Sequence, residues 1–219
     1  IKYASISGKG FFKLFKWKDK LFVISAQGRG EKAKARVHIY DKNSMKLLHH
    51  FEYKIGTVAH GLAIFQEYLF VSGTNALYRC SLKNFDLETL KVEDLKSQPF
   101  LLDGKLWAMA VKHKRDFNTR VASMVQIDPL SMKELSRRKM EGISSFESIG
   151  RCYVCSFREG LLISIFSDLV VAYDYKLNKV KWTVDMEHSS CFGPPVFYKG
   201  TLIVTDKVGV ISFPLFPSK

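Results

Sequence analysis

The stretch Val170–Phe213, VVAYDYKLNKVKWTVDMEHSSCFGPPVFYKGTLIVTDKVGVISF, decides how this chain is read. A short apolar run ends in Tyr173-Asp174, passes a Lys/Asn-rich turn and Trp182, crosses Pro194-Pro195, and restarts at YKGTLIV. The same order recurs along the chain. Apolar runs KLFVIS, YLFVSG, KLWAMAV, GLLISIF and TLIVTD are anchored at Leu21, Leu69, Leu106, Leu161 and Leu202, spaced 48, 37, 55 and 41 residues apart. A second apolar segment follows each, closing at Asp41, Ser81, Asp128, Asp174 and Phe213. Three copies then continue alike: DKNSMKLLHHFEY from Asp41, DPLSMKELSRRKM from Asp128 and DYKLNKVKWTVDM from Asp174.

Strand, turn, strand ending in Asp, turn, alternating strand: that order describes a small antiparallel meander. The Asp, and the Ser or Asn three or four residues on, suit a tight turn because their short side chains bond nearby backbone N–H groups. One meander cannot bury its own faces, so the copies must stack. Four-stranded units with this period close into β-propellers, where the ring leaves only short protected edges. The expectation is an all-β chain forming a single domain over residues 1–219, with about five four-stranded antiparallel blades. The last unit stops at VGVISFPLF, so part of the N-terminal ASISGKGFFKLFKW (Ala4 to Trp17) is expected to supply its missing strand and join the ends. An open array or a β-sandwich, as part of a larger ring, is the alternative.

At Tyr173, Asp174, Lys179, Trp182, Pro194, Pro195, Val196 and Gly200 the chain resembles the repeat of quinoprotein-like (PQQ-type) propellers. Their pattern runs Tyr/Leu-Asp, a Gly-Lys turn, Trp, Pro-Pro-Val, Gly and an apolar strand. The match spans about 45 residues, and the other copies lack the Trp and the Pro-Pro. The resemblance implies the fold and names no activity. The family's enzymes carry adjacent cysteines and a larger ring; no Cys-Cys pair occurs here, and no cofactor is expected. The chain also lacks the Trp-Asp dipeptide of WD repeats.

The formal charge of +13 is uneven, with a net +9 in residues 1–54 and +4 in residues 100–145. Such an excess favours an acidic partner, either protein or nucleic acid. Hairpin length shows where it gathers. From the Leu anchor to the close of the second strand takes 11 to 13 residues in three units, but 20 from Leu21 to Asp41 and 22 from Leu106 to Asp128. The extra residues, AQGRGEKAKAR and VKHKRDFNTR, are basic and are read as loops on one face. Arg29, Lys32, Lys34 and Arg36 would there join Lys112, His113, Lys114, Arg115 and Arg120 to straddle an acidic peptide or a phosphate backbone.

Other features are less specific. FFKLFKWK, Phe11 to Lys18, interleaves aromatics with lysines as single-strand stacking platforms do, and equally as an edge strand with outward lysines does. Cys152, Cys155, His188 and Cys191 have the ligand types of a Cys3His zinc site. RCYVC reads as a strand, however, where residues three apart face opposite ways, so buried thiols are the simpler reading. The longest apolar run, GLLISIFSDLVVAY, is too short to span a membrane and contains Asp168. Four cysteines and no Asn-x-Ser/Thr sequon point to a cytoplasmic or nuclear setting. No catalytic motif is present. The reading is a non-enzymatic protein-interaction scaffold that works within a larger assembly, with nucleic-acid binding by the same basic face as the alternative.

Overall fold

The computed structural model describes residues 12–27, 33–54, 61–113, 120–143, 152–158, 160–166, 169–185, 196–198, 200–205 and 210–214. These residues form nineteen strands in five antiparallel sheets and no helix. The first sheet holds β1 (Phe12–Trp17), β2 (Lys20–Gln27), β3 (Lys34–Asp41) and β4 (Leu47–Lys54). The second holds β5 (Leu62–Phe65), β6 (Tyr68–Gly73), β7 (Ala76–Ser81) and β8 (Leu87–Lys91). The third holds β9 (Phe100–Leu102), β10 (Lys105–His113), β11 (Arg120–Asp128) and β12 (Lys133–Lys139). The fourth holds β13 (Cys152–Arg158), β14 (Leu161–Phe166), β15 (Leu169–Asp174) and β16 (Lys179–Asp185). The fifth holds β17 (Val196–Tyr198), β18 (Thr201–Thr205) and β19 (Val210–Pro214). Within each sheet the strands pair in sequence order, so each repeat is one meander.

The repeated polar residue caps its turn as expected. Asp41 Oδ1 accepts the N–H groups of Asn43 and Ser44 at 3.1 and 2.6 Å; Asp128 Oδ1 accepts those of Leu130 and Ser131 at 2.8 and 3.3 Å. Asp174 Oδ1 accepts those of Lys176 and Leu177 at 3.1 and 2.9 Å, and the Ser81 hydroxyl those of Lys83 and Asn84 at 3.3 and 3.4 Å. Four residues after each comes a left-handed residue: Met45, Phe85, Met132 and Asn178, with φ from 51° to 65°. One turn geometry thus serves four sheets, despite a side chain with a Cβ at the position that favours glycine.

Stacking explains why the middle strands are apolar throughout instead of alternating. Leu69 and Val71 of β6 pack with Phe22, Val37 and Ile39 of the first sheet, while Phe70 between them packs with Leu106 and Val125 of the third. In β10, Leu106, Ala108 and Ala110 face the second sheet, and Met109 and Val111 face Leu162 and Val171 of the fourth. A strand covered on both faces needs apolar residues at every position. Each such side chain removed from water contributes about 1.5–3 kcal/mol. The outermost strands have no such cover: all seven residues of β12 are exposed.

Polar links cross the same junctions. Lys18 pairs with Glu67 at 2.9 Å between the first and second sheets. Arg79 of β7 reaches the turn of the third sheet, donating to the Pro129 carbonyl at 2.7 Å and to that of Leu130, while its other amino group holds both Glu88 oxygens at 2.6 Å. Arg138 of β12 donates to the Tyr175 carbonyl at 3.0 Å in the turn of the fourth.

The architecture is all-β and propeller-like. One expectation needs correcting. Phe12–Trp17 pairs with β2, from Phe12 opposite Ser25 to Trp17 opposite Lys20, so this part of the N-terminal stretch is the edge strand of its own sheet and not the missing strand of the fifth, while residues 4–11 lie outside the described residues. Phe15 and Trp17 are half-buried against the cluster between the first and second sheets, while Leu14 and Lys16 face out. That arrangement is the edge-strand reading of FFKLFKWK. Of the residues that carry the quinoprotein resemblance, Tyr173 and Asp174 end β15, Lys179 and Trp182 lie in β16, Val196 opens β17, and Gly200 forms the following turn at φ 77°. Pro194 and Pro195 lie outside the described residues.

Candidate functional site

The second and third strands of a sheet differ in length from one sheet to the next. They have eight residues each in the first sheet, six in the second, nine in the third and six in the fourth. The second strands all begin one residue before the Leu anchor or at it, so the surplus falls at the far end. Three extra residues extend a strand by about 10 Å. The hairpins of the first and third sheets therefore rise on either side of the second, whose own turn is only Thr74-Asn75. The result is a valley over the second sheet.

Its floor is fastened to the first sheet and to the linker after β8, which the Asp94 carbonyl in turn ties to Val111 N–H of the third sheet at 2.8 Å. Thr74 N–H donates to the Lys54 carbonyl at 2.8 Å, Val92 N–H to the Asn75 carbonyl at 3.0 Å, and Asp94 N–H to Asn75 Oδ1 at 3.0 Å. Gly73 must be glycine: a Cβ there would lie 2.2 Å from the Lys54 carbonyl oxygen and 2.6 Å from the Tyr78 ring.

The valley revises the placement of the basic residues. Lys34 and Arg36 are in β3, Lys112 and His113 in β10, and Arg120 in β11 opposite His113; these five are strand residues and not loop residues. Part of the surplus length went into longer ladders, because pairing satisfies backbone groups that a loop would leave to water. Arg29, Lys32, Lys114 and Arg115 lie outside the described residues, as do the side chains of His113 and Arg120. Arg36 is occupied: its Nε bonds Glu52 Oε1 at 3.0 Å, and Lys34 Nζ sits 3.8 Å from Glu52 Oε2. The Arg36 bond holds the Glu52 carboxyl below its usual range. Lys112 is exposed, and no ion pair joins it to any described residue.

Beside Lys112 the junction of the second and third sheets opens into a groove of about 510 Å3. Ala110, Val121 and Ser123 form its floor, sharing one face of the β10–β11 ladder with Lys112. Lys91, Glu93 and Asp94 line one wall, and Glu134 and Arg137 the other. Arg137 is engaged with both Glu134 oxygens at 3.0 Å and with the Glu93 carbonyl at 3.2 Å, and the Glu134 bonds push its pKa up. The sequence singled out Lys112 alone of this set. The other charged residues come from β8, its following linker and β12, and only a long hairpin beside a short one signals their meeting.

The zinc reading gains nothing here. Cys152 and Cys155 are in β13, where the ladder shifts register between Val154 and Ser156; His188 and Cys191 lie outside the described residues. Among the described residues no group of three His, Cys, Asp or Glu side chains is placed to hold a metal. No described helix is long and apolar enough to cross a membrane.

No family model and no curated protein sequence matches the chain. Solved structures do. An ACO/RPE65 chimera is 10% identical with a TM-score of 0.48, and a mutant of the Synechocystis apocarotenoid oxygenase is 11% identical with a TM-score of 0.49; each match covers 84% of this chain and 52% of the other. A structure of the mitotic checkpoint complex is 15% identical with a TM-score of 0.52, over 88% of this chain and 63% of the other. The chain thus spans about half the length of the oxygenase structures it matches. The class that the checkpoint-complex likeness supports is a propeller-like all-β fold. The comparisons also correct the expectation of no enzymatic activity: structures of enzymes stand among the neighbours, so a missing motif excludes nothing. No residue role carries over from them.

Proposed function

We propose that the chain is a protein-interaction module whose five sheets are the blades of one ring, and that the valley over the second blade binds an acidic segment of a partner protein. The carrying observation is the pair of long hairpins, bearing Lys34 and Lys112, that bracket the two-residue turn at Thr74-Asn75. Arg29, Lys32, Lys114 and Arg115 belong to the same two hairpins by sequence. Likeness to a structure of a multi-protein complex is in keeping with this reading. Glu52, Glu93, Asp94 and Glu134 stand among the cations and would repel a continuous phosphate backbone, which favours a peptide over nucleic acid.

Fluorescence anisotropy tests it. A labelled Glu-rich peptide, a single-stranded RNA and a duplex DNA are titrated at low and physiological salt against wild type and the Lys34→Glu/Lys112→Glu double variant. Peptide binding that weakens in the variant supports the reading. Tighter binding of RNA or DNA than of the peptide, with a steep salt slope, replaces it with a nucleic-acid function.

A further inference from the structure

The groove beside Lys112 is lined by three cations and three carboxylates, four of which pair with one another. Arg137 is committed to Glu134 and the Glu93 carbonyl, and Lys91 Nζ lies 3.9 Å from Glu93 Oε1. Lys112 is left as the one groove cation without an ion pair to a described residue. The volume, about 510 Å3, falls within the range of about 300–1,000 Å3 typical of small-ligand sites. It admits one side chain with its flanking backbone and leaves an apolar floor at Ala110 and Val121.

Resting on the reading above, we propose that this groove is an anchor subsite for a single glutamate side chain of the bound segment, and that it rejects phosphorylated residues. The two methylenes of glutamate lie along Val121, its carboxylate meets Lys112 Nζ, and the Ser123 hydroxyl, on the same face, is a second donor. A monoanion pairs with the one unpaired ammonium and adds only a single negative charge to a lining whose three cations and three carboxylates balance. A phosphate near its dianionic form brings a charge that Lys112 cannot balance and sets it against Glu93, Asp94 and Glu134. Glutamine binds more weakly, since its neutral amide oxygen accepts a hydrogen bond from Lys112 without offsetting the ammonium charge.

The test uses the whole chain, 15N-labelled. Acetyl-glutamate, acetyl-glutamine and acetyl-phosphoserine methylamides are titrated separately while the amide signals of Ala110, Lys112, Val121 and Ser123 are followed. Saturable shifts with the glutamate compound alone, lost in Lys112→Gln and kept in Lys112→Arg, are expected. Equal or tighter binding of the phosphoserine compound, or no shift with any of the three, overturns the subsite. The labelled Glu-rich peptide separates the two claims. Lys112→Gln should weaken its binding about tenfold, the value of one charge-assisted bond. If the peptide binds and Lys112→Gln leaves its affinity unchanged, the subsite falls while the acidic-segment reading stands. If it does not bind wild type, both fall.

Discussion

The imidazole of His49 lies flat on the ring of Phe85, with centroids 4.6 Å apart and planes 10° from parallel. His49 belongs to β4 of the first sheet and Phe85 to the left-handed turn position of the second, so one ring contact joins an outer strand to the neighbouring repeat's turn. On the opposite face, His38 sits directly across from His50, their rings 6.1 Å apart, with His38 Nε2 buried and unpartnered.

Acid should therefore loosen the first sheet. Burial, then the neighbouring His50 charge, lowers the His49 pKa; burial, then Arg36 and His50, lowers that of His38. Both are neutral in the fold, and the unfolded chain takes up protons first, near the ordinary value of 6.5. The stabilisation is complete above that value and is lost as pH falls through the lowered folded values. Urea midpoints measured from about pH 7.5 to about pH 5 should fall, and fall less in His49→Phe, which keeps the stack and removes one titrating group.

The left-handed turn positions should separate by burial. Met45 is only half-buried, so Met45→Gly relieves the strained φ of 58° and leaves stability unchanged or raised by about 0.5–1 kcal/mol. Met132 is buried between the second and third sheets at φ 51°, and Met132→Gly should cost about 1–3 kcal/mol because lost packing outweighs relieved strain. Chemical denaturation of the two variants checks the contrast.

Glycines offer a second contrast. Gly73→Ala drives a Cβ into the Lys54 carbonyl and should cost more than about 2 kcal/mol, displacing the valley floor and weakening peptide binding with it. Gly104 has nothing within 4 Å of its added Cβ but a φ of 70°, so Gly104→Ala should cost only about 1 kcal/mol and leave binding intact. Melting temperatures and anisotropy of both variants decide it.

Arg79 should behave as a staple. Its guanidinium is buried, stacks 4.6 Å from the Tyr68 ring, and carries the Glu88 and Pro129 bonds together. Arg79→Met should cost about 2–4 kcal/mol, and Arg79→Lys nearly as much, because an ammonium cannot hold the carboxylate and the turn carbonyls at once. Glu88→Gln should cost about 1 kcal/mol, since Glu88 is half-exposed and the carbonyl bonds remain.

Local chemistry made the repeat legible in the amino-acid order alone. Asp41, Ser81, Asp128 and Asp174 bond N–H groups two and three residues away, an interaction complete within a few residues of chain. The Leu anchors head strands whose apolar runs pack on both faces, and their spacing revealed one meander per repeat. Those features set the strands, the antiparallel order and the need for the copies to stack. Which cations remain unpaired is another matter. Glu52 reaches Arg36 because β4 pairs with β3 across 16 residues, and Lys91 and Asp94 reach the Lys112 groove because the second sheet is shorter than the third. Five of the nine residues read as one basic loop cluster are ladder positions; Lys34 and Arg36 meet Glu52 of the adjoining strand, and Lys112 has no ion pair to a described residue. Hydrogen bonding to adjacent residues is written into sequence; the balance of charge in a cleft depends on strand register and relative strand length, and only the folded sheets settle those.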